Sequence, residues 1–225
     1  MKYTCLFLDL DNTLLDFNKA EFKAATEVFK KHNLPYDKET VNLYSKINLT
    51  YWERFERGEI PKSAIFEGRF KTLLQYLNLN ADTKAIAEDY FAFLSEGYFT
   101  VNGAEEILIY LKSKGYKLYA TTNGIAATQY KRINNSGLGV YFDDVFVSEK
   151  AGHQKPEKAY FDFVISCIPE KSKENMLIIG DSQSSDILGG INSGIDTCWY
   201  NPKSIAPKYK STFEIKNLNQ LKKIL

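Results

Sequence analysis

The stretch Leu6-Phe7-Leu8-Asp9-Leu10-Asp11-Asn12-Thr13-Leu14 decides how the rest of the chain is interpreted. Its apolar start predicts a short buried strand, and Asp9 and Asp11 follow that strand directly. Open α/β sheets bind ligands at the carboxyl ends of their strands. Two carboxylates this close repel one another unless a cation lies beside them, so the pattern favours a divalent metal. A strand ending in an ordinary Asp-capped turn is the alternative, and residues further along the chain decide between the two.

The composition is that of a globular protein with no bias toward a charged polymer. The chain has 225 residues, of which 44% are hydrophobic and 25% charged, and its formal net charge is +1. This length accommodates one sizeable core together with a smaller domain. A nearly neutral chain creates no field for nucleic acid or an anionic membrane, so we expect neither as a partner and expect anions to bind at a local site.

The pattern also indicates a cytoplasmic protein. The first apolar run is interrupted by two Asp residues and is too short for a signal peptide, and no stretch approaches the ~20 apolar residues of a membrane span. The three cysteines lack the spacing of a metal site, and we predict that all of them are reduced core residues: Cys5, Cys167 and Cys198.

A helical domain is predicted directly after the first strand. Four amphipathic segments follow one another between residues 18 and 95, each with apolar residues at helical spacing and each separated by a short loop. Four helices joined in this way indicate a small bundle. We therefore predict an inserted four-helix domain over residues 17–95, with residues 1–16 and 96–225 forming one α/β domain around it.

Helices and strands alternate in the remainder of the chain. The predicted helices are Ala104–Lys114, Ala126–Asn135, Pro156–Cys167 and Asp186–Asn192, and the predicted strands are Tyr116–Thr121, Val145–Val147, Met176–Ile179 and Thr197–Tyr200, followed by a terminal strand and helix. Strict alternation predicts a doubly wound, mostly parallel sheet with right-handed crossovers.

Polar clusters follow three of these later elements, as they follow the first strand. The clusters are Thr122-Asn123-Gly124, Lys155-Pro156 and Gly180-Asp181-Ser182-Gln183-Ser184-Ser185-Asp186. All of them fall at or just beyond the carboxyl ends of predicted parallel strands, so we expect them to converge on one crevice.

Each cluster contains residue types that suit phosphoryl transfer. Asp9 and Asp181 supply hard oxygen ligands for Mg²⁺, and Asp9 is the predicted nucleophile that forms an aspartyl-phosphate. Asp11 is the predicted general acid and base. The Thr122 hydroxyl, together with the turn amides, is predicted to bind the phosphate oxygens; those amides belong to Asn123 and Gly124.

Positive charge and support for the ligands complete the predicted site. Lys155 supplies the cation that a transferring phosphoryl group requires, and Asp186 orients that lysine and a metal-bound water from behind. Thr13 is predicted to have a similar supporting role. Taken one at a time these are common turn and capping residues, and it is their joint order after successive strands that indicates a site.

The four motifs together resemble those of the haloacid dehalogenase (HAD) superfamily of phosphotransferases, over essentially the whole chain. The resemblance implies a Rossmann-like core with a mobile helical cap, an Asp9 nucleophile and an acid–base role for Asp11. It also implies Mg²⁺ bound by Asp9, Asp181 and the backbone carbonyl of Asp11. That carbonyl ligand is implied by the resemblance alone.

Longer stretches look like the pyrimidine 5′-nucleotidase branch of this superfamily. They are Ser185–Gly194 with Cys198-Trp199, and Tyr51-Trp52 with Gly58-Glu59-Ile60 and Arg69-Phe70. Since the core offers only phosphate recognition, the helical domain is expected to choose the substrate. The candidates are rings that can stack and polar groups that can hydrogen-bond: Phe17, Asn18, Asn48, Tyr51, Trp52 and Arg69. Aromatic residues at helical spacing are also typical of a bundle core.

The predicted function is therefore a Mg²⁺-dependent phosphomonoesterase acting on small phosphorylated metabolites, with nucleoside 5′-monophosphates favoured, in a monomer or a dimer. A sugar-phosphate phosphatase or a phosphomutase would share every core residue. A carbon–halogen hydrolase fits less well because the additional acidic residues indicate a metal. A non-enzymatic phospho-receiver is a further alternative, although an inserted domain of this size argues against it.

Overall fold

The computed structural model describes residues 2–225, and within them six strands form one parallel sheet. The strands are β1 (Cys5–Leu8), β2 (Lys117–Thr122), β3 (Asp144–Val147), β4 (Met176–Gly180), β5 (Asp196–Tyr200) and β6 (Phe213–Ile215). Their order is β3-β2-β1-β4-β5-β6, and every neighbouring pair is parallel. This confirms the predicted doubly wound architecture, in which β1 lies at the centre.

The sheet is buried on both faces, as a parallel sheet between helices must be. Successive side chains of a strand point to opposite faces. Leu6 and Leu8 accordingly join one apolar cluster, and Cys5 and Phe7 join another on the opposite face. The four residues of β1 therefore hold both halves of the core together.

Helices of the α/β region cover these two faces. They are α5 (Ala104–Ser113), α6 (Ala126–Asn135), α7 (Ser148–Ala151), α8 (Lys158–Cys167) and α9 (Leu188–Ser193). The short helix α7 was not expected from the sequence. The predicted helix at Asp186–Asn192 is split, since one turn of π-helix at Gln183–Ile187 precedes α9. The predicted terminal helix is a 3₁₀ segment at Leu218–Lys223.

Four helices form the inserted bundle. They are α1 (Phe17–Lys31), α2 (Lys38–Glu56), α3 (Lys62–Leu77) and α4 (Thr83–Ser95). Asp37 and Asp82 begin α2 and α4 because each carboxylate accepts hydrogen bonds from two backbone N–H groups of the first helical turn. Aromatic and aliphatic side chains such as Phe29, Tyr44 and Phe70 form the apolar cluster of its interior.

The chain divides into two units. One, called the α/β unit here, comprises the segment ending at Asp16 and Thr100–Leu225; the other, the helical unit, is Phe17–Phe99. The second boundary follows Phe99 rather than residue 95, because the segment after α4 still packs within the bundle, where Phe99 contacts its apolar cluster.

One prediction about the cysteines is wrong. Cys5 and Cys198 are buried, but Cys167 is exposed at the end of α8. Tyr160 and Phe161 occupy the core-facing side of that helix instead. Among the described helices, none has the length and apolarity needed to cross a bilayer.

Candidate active site

A tight turn after β1 brings Thr13 back onto Asp9. The Leu10 carbonyl accepts hydrogen bonds from the N–H groups of Leu14 and Leu15, which closes the turn. The Thr13 hydroxyl then lies 3.0 Å from Asp9 Oδ2 and 3.4 Å from Asp181 Oδ1. Its oxygen also accepts from the Asp181 N–H at 3.1 Å. Thr13 therefore joins the ends of β1 and β4 at the position of the two predicted metal ligands.

Lys155 is fully buried and faces the same carboxylate from the other side. Its Nζ donates to Asp9 Oδ1 at 2.8 Å, Asp186 Oδ1 at 2.7 Å and the Thr121 carbonyl at 3.0 Å. These contacts use all three ammonium hydrogens. Burial alone would lower the pKa of Lys155, but the carboxylates of Asp186 and Asp9 outweigh it and raise that pKa, so the side chain is a fixed cation.

Asn123 holds the backbone from which Lys155 projects. Its Oδ1 accepts from the Lys155 N–H and its Nδ2 donates to the Lys155 carbonyl, both at 2.9 Å. Asn123, which was predicted to belong to a phosphate-binding turn, thus fixes the backbone of Lys155. This reciprocal pair joins the end of β2 to a loop 32 residues away along the chain and fixes where the cation points.

Asp186 occupies the space that the missing side chain of Gly180 leaves open. A Cβ on Gly180 would lie 2.1 Å from Asp186 Oδ2, closer than any real contact. That Oδ2 accepts from the Ser182 N–H at 3.1 Å, while Oδ1 accepts from Lys155. Asp186 is therefore aimed at the lysine by its own loop, and its supporting role in the reaction stays a prediction.

The site gathers more negative than positive charge. Ligand oxygens of Asp9, Asp181 and Asp186 all lie within 4.8 Å of one another. Three carboxylates facing the single ammonium of Lys155 give a formal charge of −2 (three of −1, one of +1). A donor set of hard oxygens with this deficit of positive charge fits a divalent cation such as Mg²⁺.

The raised pKa values of Asp9 and Asp181 reflect the same deficit of positive charge. Burial, with the neighbouring charges of Asp186 and Asp11, raises the pKa of Asp9 to about 7 although Lys155 opposes the shift. The pKa of Asp181 is also raised well above its usual value, by burial first and by Asp9 and Asp186 next. Without another cation the pocket therefore favours protons on its carboxylates.

Two residues that the sequence reasoning missed connect Asp11 to Thr122. Gln129 Nε2 lies 2.8 Å from both Asp11 Oδ2 and the Thr122 hydroxyl. Arg132, buried on the same helix, forms an ion pair with Asp11 Oδ1 and donates to Gln129 Oε1 at 2.9 Å. The sequence signal that could have revealed them is that two large polar residues lie three positions apart in a helix, on the side that also carries the buried Thr128 and Ile133.

The candidate residues of the α/β unit thus meet at the ends of three strands. The family model described as haloacid dehalogenase-like hydrolase matches residues 6–200. The chain belongs to this family. The matched range begins in β1 and ends with β5, so it contains every motif from which the site is built.

Relatives of this HAD-like hydrolase are similar over nearly their full lengths. YfnB of Bacillus subtilis is 41% identical over 226 residues, covering 100% of this chain and 96% of YfnB. Pyrimidine 5′-nucleotidase PynA of Streptococcus pneumoniae is 37% identical (98% and 94% covered), and pyrimidine 5′-nucleotidase YjjG of Escherichia coli is 30% identical (100% and 99%). A crystal structure of YfnB bound to magnesium superimposes with a TM-score of 0.94 at 40% identity, covering 100% of this chain and 99% of that one.

In the helical unit of this hydrolase, two of the predicted substrate residues lie together. Arg69 Nη1 donates to Asn48 Oδ1 at 2.7 Å, and Asn48 Nδ2 donates to Glu21 Oε1 at 2.6 Å. All three side chains are buried. The guanidinium carbon of Arg69 lies 4.5 Å from the ring centre of Tyr90 and 5.0 Å from that of Phe91.

The other predicted substrate residues have different neighbours. The Tyr51 hydroxyl hydrogen-bonds with Thr72 at 2.9 Å, and Trp52 packs edge-on against Phe55. Phe17 and Asn18 form the first turn of α1. The structure therefore joins Asn48 with Arg69 by a hydrogen bond, and Tyr51 and Trp52 follow Asn48 on the same helix.

Proposed function

We propose that this HAD-like hydrolase is a Mg²⁺-dependent phosphatase that cleaves nucleoside 5′-monophosphates through an aspartyl-phosphate on Asp9. The observation that carries the proposal is the buried Asp9 carboxylate, held between Lys155 and Thr13 and within 4.8 Å of the Asp181 and Asp186 ligand oxygens. A carboxylate held this way faces a reactant in a fixed orientation, which is the main requirement of a nucleophile in phosphoryl transfer.

The first chemical step transfers the phosphoryl group to the enzyme. An oxygen of Asp9 attacks phosphorus as the bond from phosphorus to the ester oxygen breaks. The ester oxygen leaves with that electron pair and takes a proton from the Asp11 carboxyl group, which becomes a carboxylate. The Thr122 hydroxyl binds a non-bridging oxygen, and Lys155 balances negative charge at the reacting centre.

The second step restores the enzyme. A water molecule attacks phosphorus while one of its protons passes to the Asp11 carboxylate, and the bond between phosphorus and the Asp9 oxygen breaks. The products are orthophosphate, the free Asp9 carboxylate and a protonated Asp11. A phosphomutase would replace this water with a second sugar hydroxyl, so release of orthophosphate separates the two activities.

Mg²⁺ is the proposed cofactor. The Asp9 and Asp181 carboxylates and the Asp11 backbone carbonyl would hold it, and it would neutralise phosphate charge. The surplus of carboxylates around Asp9 supports this choice, as does the magnesium bound in the crystal structure of YfnB. Asp186 is bonded to Lys155 and to its own loop, so we assign it to positioning the lysine.

The substrate class rests on the relatives and on the helical unit. PynA and YjjG are both pyrimidine 5′-nucleotidases. We assign substrate selection to the predicted residues of the helical unit, with Asn48 and Arg69 as its polar pair. A guanidinium and an amide supply the donors and acceptors that a nucleobase or sugar edge requires.

Orthophosphate release from a panel of phosphate esters tests the proposal. The purified chain with Mg²⁺ is expected to hydrolyse nucleoside 5′-monophosphates, with pyrimidines preferred over purines, and to be silent in excess chelator. Faster hydrolysis of sugar phosphates would overturn the substrate class while leaving the phosphatase intact. No release from any ester, with Mg²⁺ present and the fold verified by circular dichroism, would overturn the activity itself.

A further inference from the structure

Asp11, Gln129 and Arg132 form a closed hydrogen-bonded ring, called the Asp11 ring here. Arg132 Nη1 donates to Asp11 Oδ1 and Gln129 Oε1, and Gln129 Nε2 donates to Asp11 Oδ2. The second Nε2 hydrogen reaches the Thr122 hydroxyl. Each hydrogen on Arg132 Nη1 and Gln129 Nε2 therefore has an acceptor. A ring of this kind fixes the plane of the Asp11 carboxylate.

The chemistry of the partners determines the orientation of the Gln129 amide. A guanidinium has only donors, so the atom of Gln129 that faces Arg132 must be the carbonyl oxygen. The NH₂ group must then face Asp11 and Thr122. An amide turned the other way would place its carbonyl against a carboxylate oxygen and its NH₂ against Arg132. Only one orientation satisfies all three contacts.

The same amide directs the Thr122 hydroxyl. The Thr122 oxygen accepts from the Gly124 N–H at 3.0 Å and from Gln129 Nε2 at 2.8 Å. A hydroxyl oxygen has two lone pairs and one hydrogen. With both lone pairs engaged, the hydrogen is left to donate outward, which is the role required to bind a phosphate oxygen.

Gly124 makes room for this arrangement. A Cβ at Gly124 would lie 2.6 Å from the Cγ and Cδ atoms of Gln129. Any larger residue would displace the amide that holds Asp11 and Thr122. Gly124 of the Thr-Asn-Gly motif therefore leaves open the space that the Gln129 side chain occupies, in addition to forming the turn.

We propose that Gln129 and Arg132 are positioning residues that hold the proton-transferring carboxylate of Asp11 in register with the phosphate-binding hydroxyl of Thr122. The inference rests on the proposed phosphatase function. Because one amide binds both groups, it sets the separation between the bound phosphate and the carboxyl group that protonates its ester oxygen. A misplaced proton donor matters most for a leaving group that cannot depart unprotonated.

The dependence on the leaving group provides the test. A nucleoside 5′-monophosphate expels an alkoxide, which needs the proton, whereas p-nitrophenyl phosphate expels a stable phenolate, which does not. For Gln129→Met and Arg132→Met, kcat/KM for the nucleotide is expected to fall about 100-fold and for the nitrophenyl ester about 3-fold. The quantity kcat/KM is chosen because it reports the step in which the leaving group departs.

Two matched variants calibrate the measurement. Thr122→Val removes a phosphate contact without removing the acid, so it is expected to lower kcat/KM for both substrates by similar factors. Lys131→Met removes an exposed cation from the same helix and is expected to leave both values unchanged. Arg132→Lys retains the charge without the planar fork and is expected to show an intermediate loss with the same preference for the nucleotide.

The outcomes separate this inference from the proposed function. Equal losses on both substrates, or no loss, in the Gln129 and Arg132 variants would overturn the positioning role while an active wild-type enzyme upheld the phosphatase. A wild-type chain inactive on both esters would overturn the two together. Where Arg132→Met does not fold, as shown by circular dichroism, the nearly isosteric Gln129→Met and the charge-retaining Arg132→Lys decide the question.

Discussion

The two units each bury a cation, and they stabilise it by different means. Lys155 of the α/β unit lies between two carboxylates and a carbonyl, with every ammonium hydrogen bonded. Arg69 of the helical unit donates from Nη1 to Asn48, while its Nε and Nη2 have no hydrogen-bond partner among the described residues. Aromatic rings surround the rest of its guanidinium group.

This difference follows from the architecture of the units. The strands of a parallel sheet end together, so their loops can deliver several polar groups to one place. In a helical bundle the interior is reached only by side chains from helix faces, and the backbone polar groups are already used within each helix. Lys155 of the sheet unit is therefore in direct contact with opposite charge, whereas Arg69 of the bundle contacts ring faces and the Asn48 amide, and the buried Glu21 carboxylate lies beyond that amide.

The largest expected effect tests whether the polar cluster of the α/β unit performs the chemistry. Asp9→Asn is expected to lower turnover of every phosphate ester by at least about 10⁴-fold, because an amide does not act as the nucleophile. Initial rates of orthophosphate release measure it. Asp162→Asn, which changes an exposed aspartate paired with Lys158, is the control with unchanged activity. Near-normal turnover of Asp9→Asn would remove Asp9 from its role.

The second prediction compares Lys155 with Arg69 directly. Lys155→Met leaves the buried Asp9 and Asp186 facing each other, and we expect the free energy of unfolding to fall by about 3 kcal/mol. Arg69→Met removes the donor of the Asn48 amide but breaks no direct contact with a carboxylate, since Glu21 is reached through Asn48, so its cost is expected to be about 1 kcal/mol. Urea unfolding of both variants in excess chelator measures the difference. A larger loss for Arg69→Met than for Lys155→Met would contradict the different means by which the two units stabilise these cations.

The third prediction uses the acidity of Asp9. Its pKa is raised from an ordinary 3.8 to about 7 in the folded chain, so folding favours the protonated form. The stability from this group is therefore fully present below about pH 4 and is lost as the pH rises through about 7. In chelator, the melting temperature of the wild type is expected to fall across this range relative to Asp9→Asn.

Magnesium provides the matching control for that experiment. A divalent cation binds the ionised carboxylates, so added Mg²⁺ is expected to stabilise the wild type increasingly as the pH rises toward 8. Asp9→Asn is expected to show a smaller stabilisation at the same concentration. A wild-type melting temperature with the same pH dependence as Asp9→Asn in chelator would contradict the raised pKa.

The smallest expected effect concerns selection rather than chemistry. Trp52→Ala in the helical unit is expected to change the ratio of kcat/KM between a nucleoside 5′-monophosphate and p-nitrophenyl phosphate by about 10-fold, because a lost pocket contact affects only the substrate that uses it. Tyr76→Ala, at an exposed aromatic residue of the same unit, is the control. Equal losses on both substrates would assign Trp52 a purely structural role.

The convergence of the motif residues of the α/β unit could be predicted from the sequence because most of them directly follow a strand. Asp9, Thr122 and Asp181 all lie where an apolar run ends, and parallel strands bring such positions together. Gln129 and Arg132 were missed because no strand precedes them. They contact Asp11 only because one face of α6 packs beside it in the folded chain. Along the sequence, Gln129 lies 118 positions and Arg132 121 positions from Asp11.

Asp11 shows most clearly what the sequence determines and what only the folded structure determines. The order of apolar and acidic residues was enough to establish a parallel α/β sheet, an inserted helical bundle and a carboxylate pair after the first strand, since local periodicity determines these features. Hydrogen bonds between residues far apart in sequence determine which way that carboxylate faces, what charge lies opposite Asp9, and that Arg69 is buried among rings. Only the folded chain brings these groups within about 3 Å of one another, the range in which hydrogen bonds form.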